Sequence, residues 1–169
     1  YGPLIDYQVP PDTEEVEKYW VVNPYILVSI QYDHKDNDYI YKVITPELSA
    51  FEISLLEDVH EHLVETLRYE KNNAKLDRSK ILAIRVKEYV DRFAKGLDYK
   101  TFYKLLFFVT RNSLGYGRID PLLKDQYIED ISCNGPNIPI YLYHRRYENI
   151  KTNITFGENE LNSFVIKLA

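Results

Sequence analysis

Three successive helix signals occupy the middle of the chain, and they constrain its fold more than any other feature. Ser49-x-x-Glu52 is a capping box, and Asp77 and Asp98 stand where the N-caps of a second and a third helix belong. Apolar residues follow at helical spacing in each segment: Leu56, Val59, Leu63 and Leu67, then Leu82, Val86, Tyr89 and Phe93, then Phe102, Leu105, Leu106 and Val109. Because the connections are short, including the polar tract over residues 71–75, we predict an antiparallel three-helix bundle over residues 46–115.

The segment before these helices is rich in aromatic and β-branched residues, which are typical of strands. Tyr25–Tyr32 and Tyr39–Ile44 flank a polar loop over residues 33–38, which predicts a β-hairpin within residues 18–45. Residues 1–17 contain three prolines and several acidic side chains without clear periodicity. We therefore expect them to form an extended lead-in.

The segment after the helices, residues 116–169, combines turn and strand signals. Asp120-Pro121 suits a single helical turn with proline at its first position. Three short strand patterns then precede a helix after Gly157; they cover residues 128–134, 140–143 and 150–156. The order is β-β-β-α, which predicts the start of a small α/β layer. The whole chain is thus predicted as α+β: a hairpin, a three-helix bundle and the beginning of an α/β layer.

Composition narrows the function classes. The net charge of −5 opposes broad binding to a phosphate backbone, so we expect no nucleic-acid partner. No apolar run approaches the roughly 18 residues of a membrane span.

The chain has no methionine and closes on the apolar run F-V-I-K-L-A, so we expect both ends to be cut from a longer protein. Cys133 is the single cysteine, which favours a reducing compartment, and we expect it to be half-buried in a strand.

Several residue groups invite a catalytic or metal-binding interpretation, but their context favours simpler ones. Gly115-x-Gly117 follows a helix instead of a strand, so a helix end and turn is the better account than a phosphate loop. Asp33, Asp36 and Asp38 lack the glycine and the terminal glutamate of a calcium loop, which favours a solvated hairpin tip. His60 and His62 would point about 200° apart on a helix and cannot share a metal. The sequence therefore predicts no catalytic, cofactor-binding or metal site.

One basic cluster keeps two interpretations open. His144, Arg145 and Arg146 end a strand and place three potential cations together in an otherwise acidic chain. The simpler interpretation is an exposed strand end. The functional one is a contact with an acidic or phosphate-bearing surface of an adjoining domain.

An ordered set of motifs in the last third of the chain carries a family resemblance. The set comprises G-Y-G at 115–117, D-P-L-L at 120–123, I-E-D-I at 128–131 with Asn134-Gly135, Y-L-Y-H at 141–144 and T-N-I at 152–154. Together with N-P-Y and T-P-E-L-S upstream, it resembles the region just before the motor domain in type II/IV secretion ATPases, in their archaeal branch. These are the hexameric motors of secretion pseudopili, type IV pili and the archaellum.

The resemblance implies a regulatory and docking region without its own chemistry. In such proteins ATP and Mg²⁺ are bound by a downstream motor domain, so no cofactor is expected in residues 1–169. The implied partners are the motor domain of the same or a neighbouring subunit, the other copies of a homohexamer, and a polytopic membrane platform protein. The implied location is cytoplasmic, peripheral at the inner face of the cell membrane. The alternative is a stand-alone helical adaptor that binds another protein without any ATPase.

Overall fold

The chain folds into two compact units. The computed structural model describes residues 3–69 and 77–169. Glu47–Gly117 form the helical unit, and Ile5–Pro46 together with Arg118–Ala169 form the sheet unit. Helices and strands are thus largely segregated, as in an α+β protein.

The helical unit contains α1 (Ala50–Tyr69), α2 (Arg78–Phe93) and α3 (Tyr99–Ser113). Each predicted cap is confirmed: Ser49 and Glu52 exchange the two bonds of a capping box, Asp77 accepts from the Ser79 N–H, and Asp98 accepts from the Thr101 N–H. The three helices share one apolar core, formed by Leu55, Val59, Leu63, Leu82, Val86, Val90, Leu105 and Val109. The inward position predicted for Leu67 falls on a side chain that the structure does not describe. The polar tract over residues 71–75 also lies outside the described residues.

The sheet unit is built on six described strands. In chain order they are β1 (Thr13–Val22), β2 (Ile26–Asp33), β3 (Asp38–Ile44), β4 (Ile128–Ser132), β5 (Tyr141–His144) and β6 (Glu148–Thr152). The strand order across the sheet is β1-β2-β3-β6-β5-β4. Among these strands, β3 and β6 pair in parallel, and the other neighbours run antiparallel.

This sheet corrects the predicted fold. The hairpin and the C-terminal layer are not separate elements on either side of a helical bundle, because β3 pairs with β6 and joins them into one mixed sheet. The junction consists of Ile40 opposite Lys151 and Tyr41 opposite Thr152. Residues so far apart in sequence leave no local pattern, since strand periodicity reports which face is buried and not which strand lies alongside.

The sheet also begins earlier than predicted. β1 starts at Thr13, inside the segment that we expected to be an irregular lead-in, so the region contains a three-stranded meander and not a hairpin alone. The run T-E-E-V-E lacks the alternating apolar pattern of a strand, because glutamates occupy its half-buried positions 15 and 17. Glu15 accepts a hydrogen bond from the Ser29 hydroxyl at 2.6 Å, and Glu17 accepts one from the Tyr147 hydroxyl at 2.7 Å. Polar partners from elsewhere in the unit make those positions tolerable.

Two described α-helices complete the sheet unit: the single turn α4 (Asp120–Lys124) and α5 (Glu158–Leu168). The predicted proline-led turn is confirmed at Asp120-Pro121. The main core is formed by Val28, Ile30, Tyr41, Ile119, Leu122, Ile140, Leu142, Ile150, Ile154 and Phe156. Cys133 was expected to be half-buried in a strand, but it is exposed and follows the last residue of β4. Across the described helices, none combines the length and the apolar character needed to cross a membrane.

Candidate functional site

The residue groups weighed for metal or phosphate binding occupy ordinary structural positions. Gly117 takes a φ of +61° where α3 gives way to the next turn, which a residue without Cβ adopts easily. Asp33 accepts a bond from the Lys35 N–H, and Asp36 pairs with Lys151 at 3.0 Å. Within the described residues there is no group of three or more His, Cys, Asp or Glu side chains arranged to hold a metal ion.

The predicted basic cluster separates into one buried and two exposed residues. His144 is 0% exposed, so the interpretation of this residue as an exposed strand end is wrong. Arg145 and Arg146 are exposed in the turn between β5 and β6. Arg145 donates to the Glu129 carboxylate at 3.2 Å, and Arg146 pairs with Glu17. The contact with another domain stays a prediction.

Burial of His144 reveals a polar network that links distant parts of the sheet unit. Its centre is Asp125, which directly follows α4 and is 6% exposed. The hydroxyls of Tyr19 on β1 and Tyr41 on β3 both donate to Oδ2 of Asp125 at 2.6 Å. The Tyr127 N–H donates to Oδ1 at 2.8 Å. One carboxylate therefore joins two strands of the N-terminal meander to the segment that precedes β4.

His144 extends this network on the side of Tyr19. The Arg146 N–H donates to Nδ1 of His144 at 3.1 Å, so Nδ1 carries no proton in the neutral ring. The proton of neutral His144 must then lie on Nε2, which is 3.2 Å from the Tyr19 oxygen. Bonds therefore run in one direction, from His144 to Tyr19 and from Tyr19 to Asp125. The bond from the Arg146 N–H thus fixes the tautomer of the ring, and the tautomer fixes this direction.

The electrostatics of the network follow from its burial. Desolvation, reinforced by the bond to Asp125, raises the pKa of Tyr19, and desolvation also raises the pKa of Tyr41, so both hydroxyls keep their protons and act as donors. Desolvation lowers the pKa of His144, and Asp125 and Glu17 oppose that effect only partly. The tyrosines and the histidine are therefore neutral around the carboxylate at neutral pH.

An aromatic and ionic rim lies beside the network. Arg146 stacks its guanidinium 4.6 Å from the centre of the Tyr127 ring and pairs with Glu17 on β1. Tyr147 donates to the same Glu17 carboxylate, and burial together with this bond raises the pKa of Tyr147 to about 12. The turn after β5 is thus held against β1 by a cation, two rings and one glutamate.

A surface cleft of about 310 Å³ opens next to the carboxylate. It is enclosed by residues 19–21 of β1 and by residues 124–127, and both Tyr19 and Asp125 line it. Taken together, the geometry is suited to holding segments in register and to presenting a polar cleft. Neither tyrosine of the network is an activated nucleophile, because both hydroxyl groups lie against a carboxylate as donors and are kept protonated.

Sequence reasoning singled out His144 but missed Asp125, Tyr19 and Tyr41. Two signals were available: a carboxylate immediately after the Asp120-Pro121 turn, and tyrosines at half-buried strand positions whose hydroxyls need partners. Neither signal shows which residues bond to each other, because Asp125 lies 106 residues from Tyr19 and 84 from Tyr41.

Comparison with known proteins relates the start of the chain to a described family. Residues 1–47 match the family model described as "PilB3-like, N-terminal", which connects this part of the chain with the N-terminus of pilus and secretion ATPases. The matched residues include β1, β2 and β3 in full.

Two proteins of Methanocaldococcus jannaschii are similar over most of the chain. The uncharacterized protein MJ1288 is 40% identical over 146 residues, which cover 84% of this chain and 57% of MJ1288. The uncharacterized protein MJ0781 is 25% identical over 142 residues, which cover 80% of this chain and 18% of MJ0781. The chain thus spans little more than half of one relative and less than a fifth of the other.

Proposed function

We propose that this chain is the N-terminal regulatory and docking region of a hexameric motor ATPase that drives protein secretion or the assembly of a pilus or archaellum filament. The observation that carries the proposal is the match of residues 1–47 to the PilB3-like N-terminal family. The motif resemblance in residues 115–169 points to the same class of protein. The two signals come mainly from opposite ends of the chain.

The architecture supports a role in transmitting movement. The strands in the matched region are not a separate appendage, because β3 pairs with β6 and because Tyr19 and Tyr41 donate to Asp125. A displacement of the C-terminal strands is therefore carried directly to the N-terminal meander. A packed sheet transmits such a displacement because its interior is dense and resists compression.

In the proposed protein, ATP and Mg²⁺ are bound by a motor domain outside residues 1–169, and this chain binds neither. Its partners are that motor domain in the same or a neighbouring subunit, the other subunits of a homohexamer, and a polytopic membrane platform protein. The protein works in the cytoplasm at the inner face of the membrane. Arg145 and Arg146 are exposed in the turn after β5, so they are the residues proposed to contact the motor.

The natural full-length protein provides the test. We expect it to hydrolyse Mg-ATP and to form hexamers in sedimentation velocity, whereas the 169-residue chain shows no heat of binding with Mg-ATP in isothermal titration. A full-length protein that neither binds nor hydrolyses ATP would instead favour the stand-alone adaptor.

The contact through the arginines is tested in the same protein. Arg145→Ala combined with Arg146→Ala should lower ATP turnover roughly several-fold. Because Arg146 also contacts Glu17 and Tyr127, an unchanged melting temperature is required before the loss is assigned to the motor contact. Lys100→Ala, an exposed cation of α3, is the matched control and should leave turnover unchanged. Equal turnover in the double variant and the control would remove these arginines from the interface.

A further inference from the structure

The cleft beside Asp125 lies at an open edge of the sheet. β1 is the first strand in the sheet order, so its outer side pairs with no other described strand. Residues 19–21 of this edge form one wall of the cleft and residues 124–127 form the other. Because Tyr19 and Trp20 point to opposite faces of β1 and both line the cleft, the cleft wraps around the strand edge.

The carboxylate in this cleft carries a charge that no described cation neutralises. Asp125 is 6% exposed and accepts three hydrogen bonds, two from tyrosine hydroxyls and one from a backbone N–H. Among the described residues, no lysine or arginine forms an ion pair with it. The adjacent Lys124 pairs with Asp120 at 2.7 Å, and the nearby Arg146 pairs with Glu17. Buried carboxylates are usually paired with a cation or a metal, whereas this one is held by neutral donors alone.

The walls of the cleft also favour a cation. Trp20 lines the cleft and is 45% exposed, whereas the Tyr127 ring already holds the guanidinium of Arg146 at 4.6 Å from its centre. Aromatic faces attract ammonium and guanidinium groups through the ring quadrupole. The cleft therefore combines a buried carboxylate with the exposed ring of Trp20, and the lysine in its lining, Lys124, is paired with Asp120. This arrangement suits a basic side chain.

We infer that this cleft binds an arginine or lysine side chain of a partner polypeptide. The side chain enters along the open edge of β1, stacks against Trp20 and directs its charge toward Asp125. The inference goes beyond the proposed function, since it needs no ATPase and would hold for the adaptor as well.

Trp20 makes the test direct, because it is the single tryptophan of the chain and lines the cleft. Its fluorescence is followed in the 169-residue chain while N-acetyl-arginine amide is added, and the neutral isostere N-acetyl-citrulline amide serves as the matched probe. We expect a saturable change with the arginine probe and binding roughly tenfold weaker with citrulline, because only the first probe carries a charge. No saturable response, or equal responses to both probes, would overturn the inference.

A pair of variants tests whether the preference for the arginine probe depends on Asp125. Asp125→Asn keeps an oxygen that accepts from the two tyrosines but removes the charge, so the preference for arginine over citrulline should disappear. Asp130→Asn changes an exposed carboxylate on β4 and should keep the preference. An unchanged preference in folded Asp125→Asn would overturn the assignment to this cleft. Should Asp125→Asn lose its circular dichroism, amide NMR shifts of the wild-type chain decide: the arginine probe must move the signals of residues 19–21 and 124–127, and shifts confined to other residues would overturn it.

Discussion

The two units of this chain are stabilised in different ways. The core of the helical unit is apolar, and the bonds that cap its helices join residues two or three apart, as at Asp77 and Asp98. Longer-range polar contacts also occur: Lys104 of α3 pairs with Glu52 at 2.7 Å, and His60 Nε2 lies 3.4 Å from the Asn112 amide nitrogen. The core region of the sheet unit contains charged and polar groups, and Asp125 binds residues more than 80 positions away. Local signals therefore suffice for the helices, whereas the sheet depends on long-range polar contacts.

The largest expected effect tests the apolar core of the helical unit. Leu63 is 1% exposed in the core shared by α1, α2 and α3, so Leu63→Ala should cost about 2–5 kcal/mol through lost transfer energy and the cavity left behind. Urea unfolding measures the loss. Val64→Ala, on the same helix but 46% exposed, is the matched control and should cost far less. Equal losses would mean that burial on α1 does not determine stability here.

The next effect tests the polar core of the sheet unit. Tyr41 is fully buried, and Tyr41→Phe removes one of the two hydroxyls that Asp125 accepts, so we expect a loss of about 1–3 kcal/mol. Tyr143→Phe changes a tyrosine that is 45% exposed on β5 and should be close to neutral. If denaturation shows the same stability for both variants, the network contributes nothing beyond packing.

A smaller and more local effect is expected at a helix start. Asp98→Ala removes the bond to the Thr101 N–H and should cost about 0.5–2 kcal/mol, with faster amide exchange confined to the first turn of α3. Asp98→Asn retains an oxygen at the cap and should cost less. Faster exchange in the sheet unit after this change would contradict the distinction between local and long-range stabilisation.

The smallest effect is a dependence on pH. Burial lowers the pKa of His144 below its usual 6.5, against the opposing influence of Asp125 and Glu17 and with that of Arg146. Above about pH 6.5 the ring is neutral in the folded and the unfolded chain, so the shift costs nothing. Below that pH the unfolded chain takes up a proton that the folded chain resists, and stability falls until the folded pKa is reached.

His144→Gln should flatten this acid-side slope in melting curves taken between about pH 7 and 5. The comparison must be made between variants, because burial lowers the pKa of His60 in the helical unit in the same direction. His60→Gln should therefore remove a separate part of the slope, and the two effects should add in the double variant. A slope unchanged by His144→Gln would show that this histidine titrates alike in both states.

The helical unit was predicted more accurately from the sequence than the sheet unit. Ser49, Asp77 and Asp98 were each identified as caps, and each makes the expected bond. In the sheet unit the strand after Asn23-Pro24 and the turn at Asp120-Pro121 were found, but the start of β1 at Thr13 and the burial of His144 were not. Acidic residues at half-buried positions concealed the start of β1. The two arginines that follow His144 favoured an exposed position for the histidine, although its ring is buried.

The sequence by itself determined which segments are helical and where those helices begin, because capping and amphipathic spacing act between residues three or four apart. Only the tertiary structure decided that β3 lies beside β6 and that Asp125 accepts hydrogen bonds from Tyr19 and Tyr41. A carboxylate is compatible with water or with buried donors, and a strand edge accepts any strand of suitable direction. The choice between these alternatives is made when the whole unit packs and each buried polar group must find a partner.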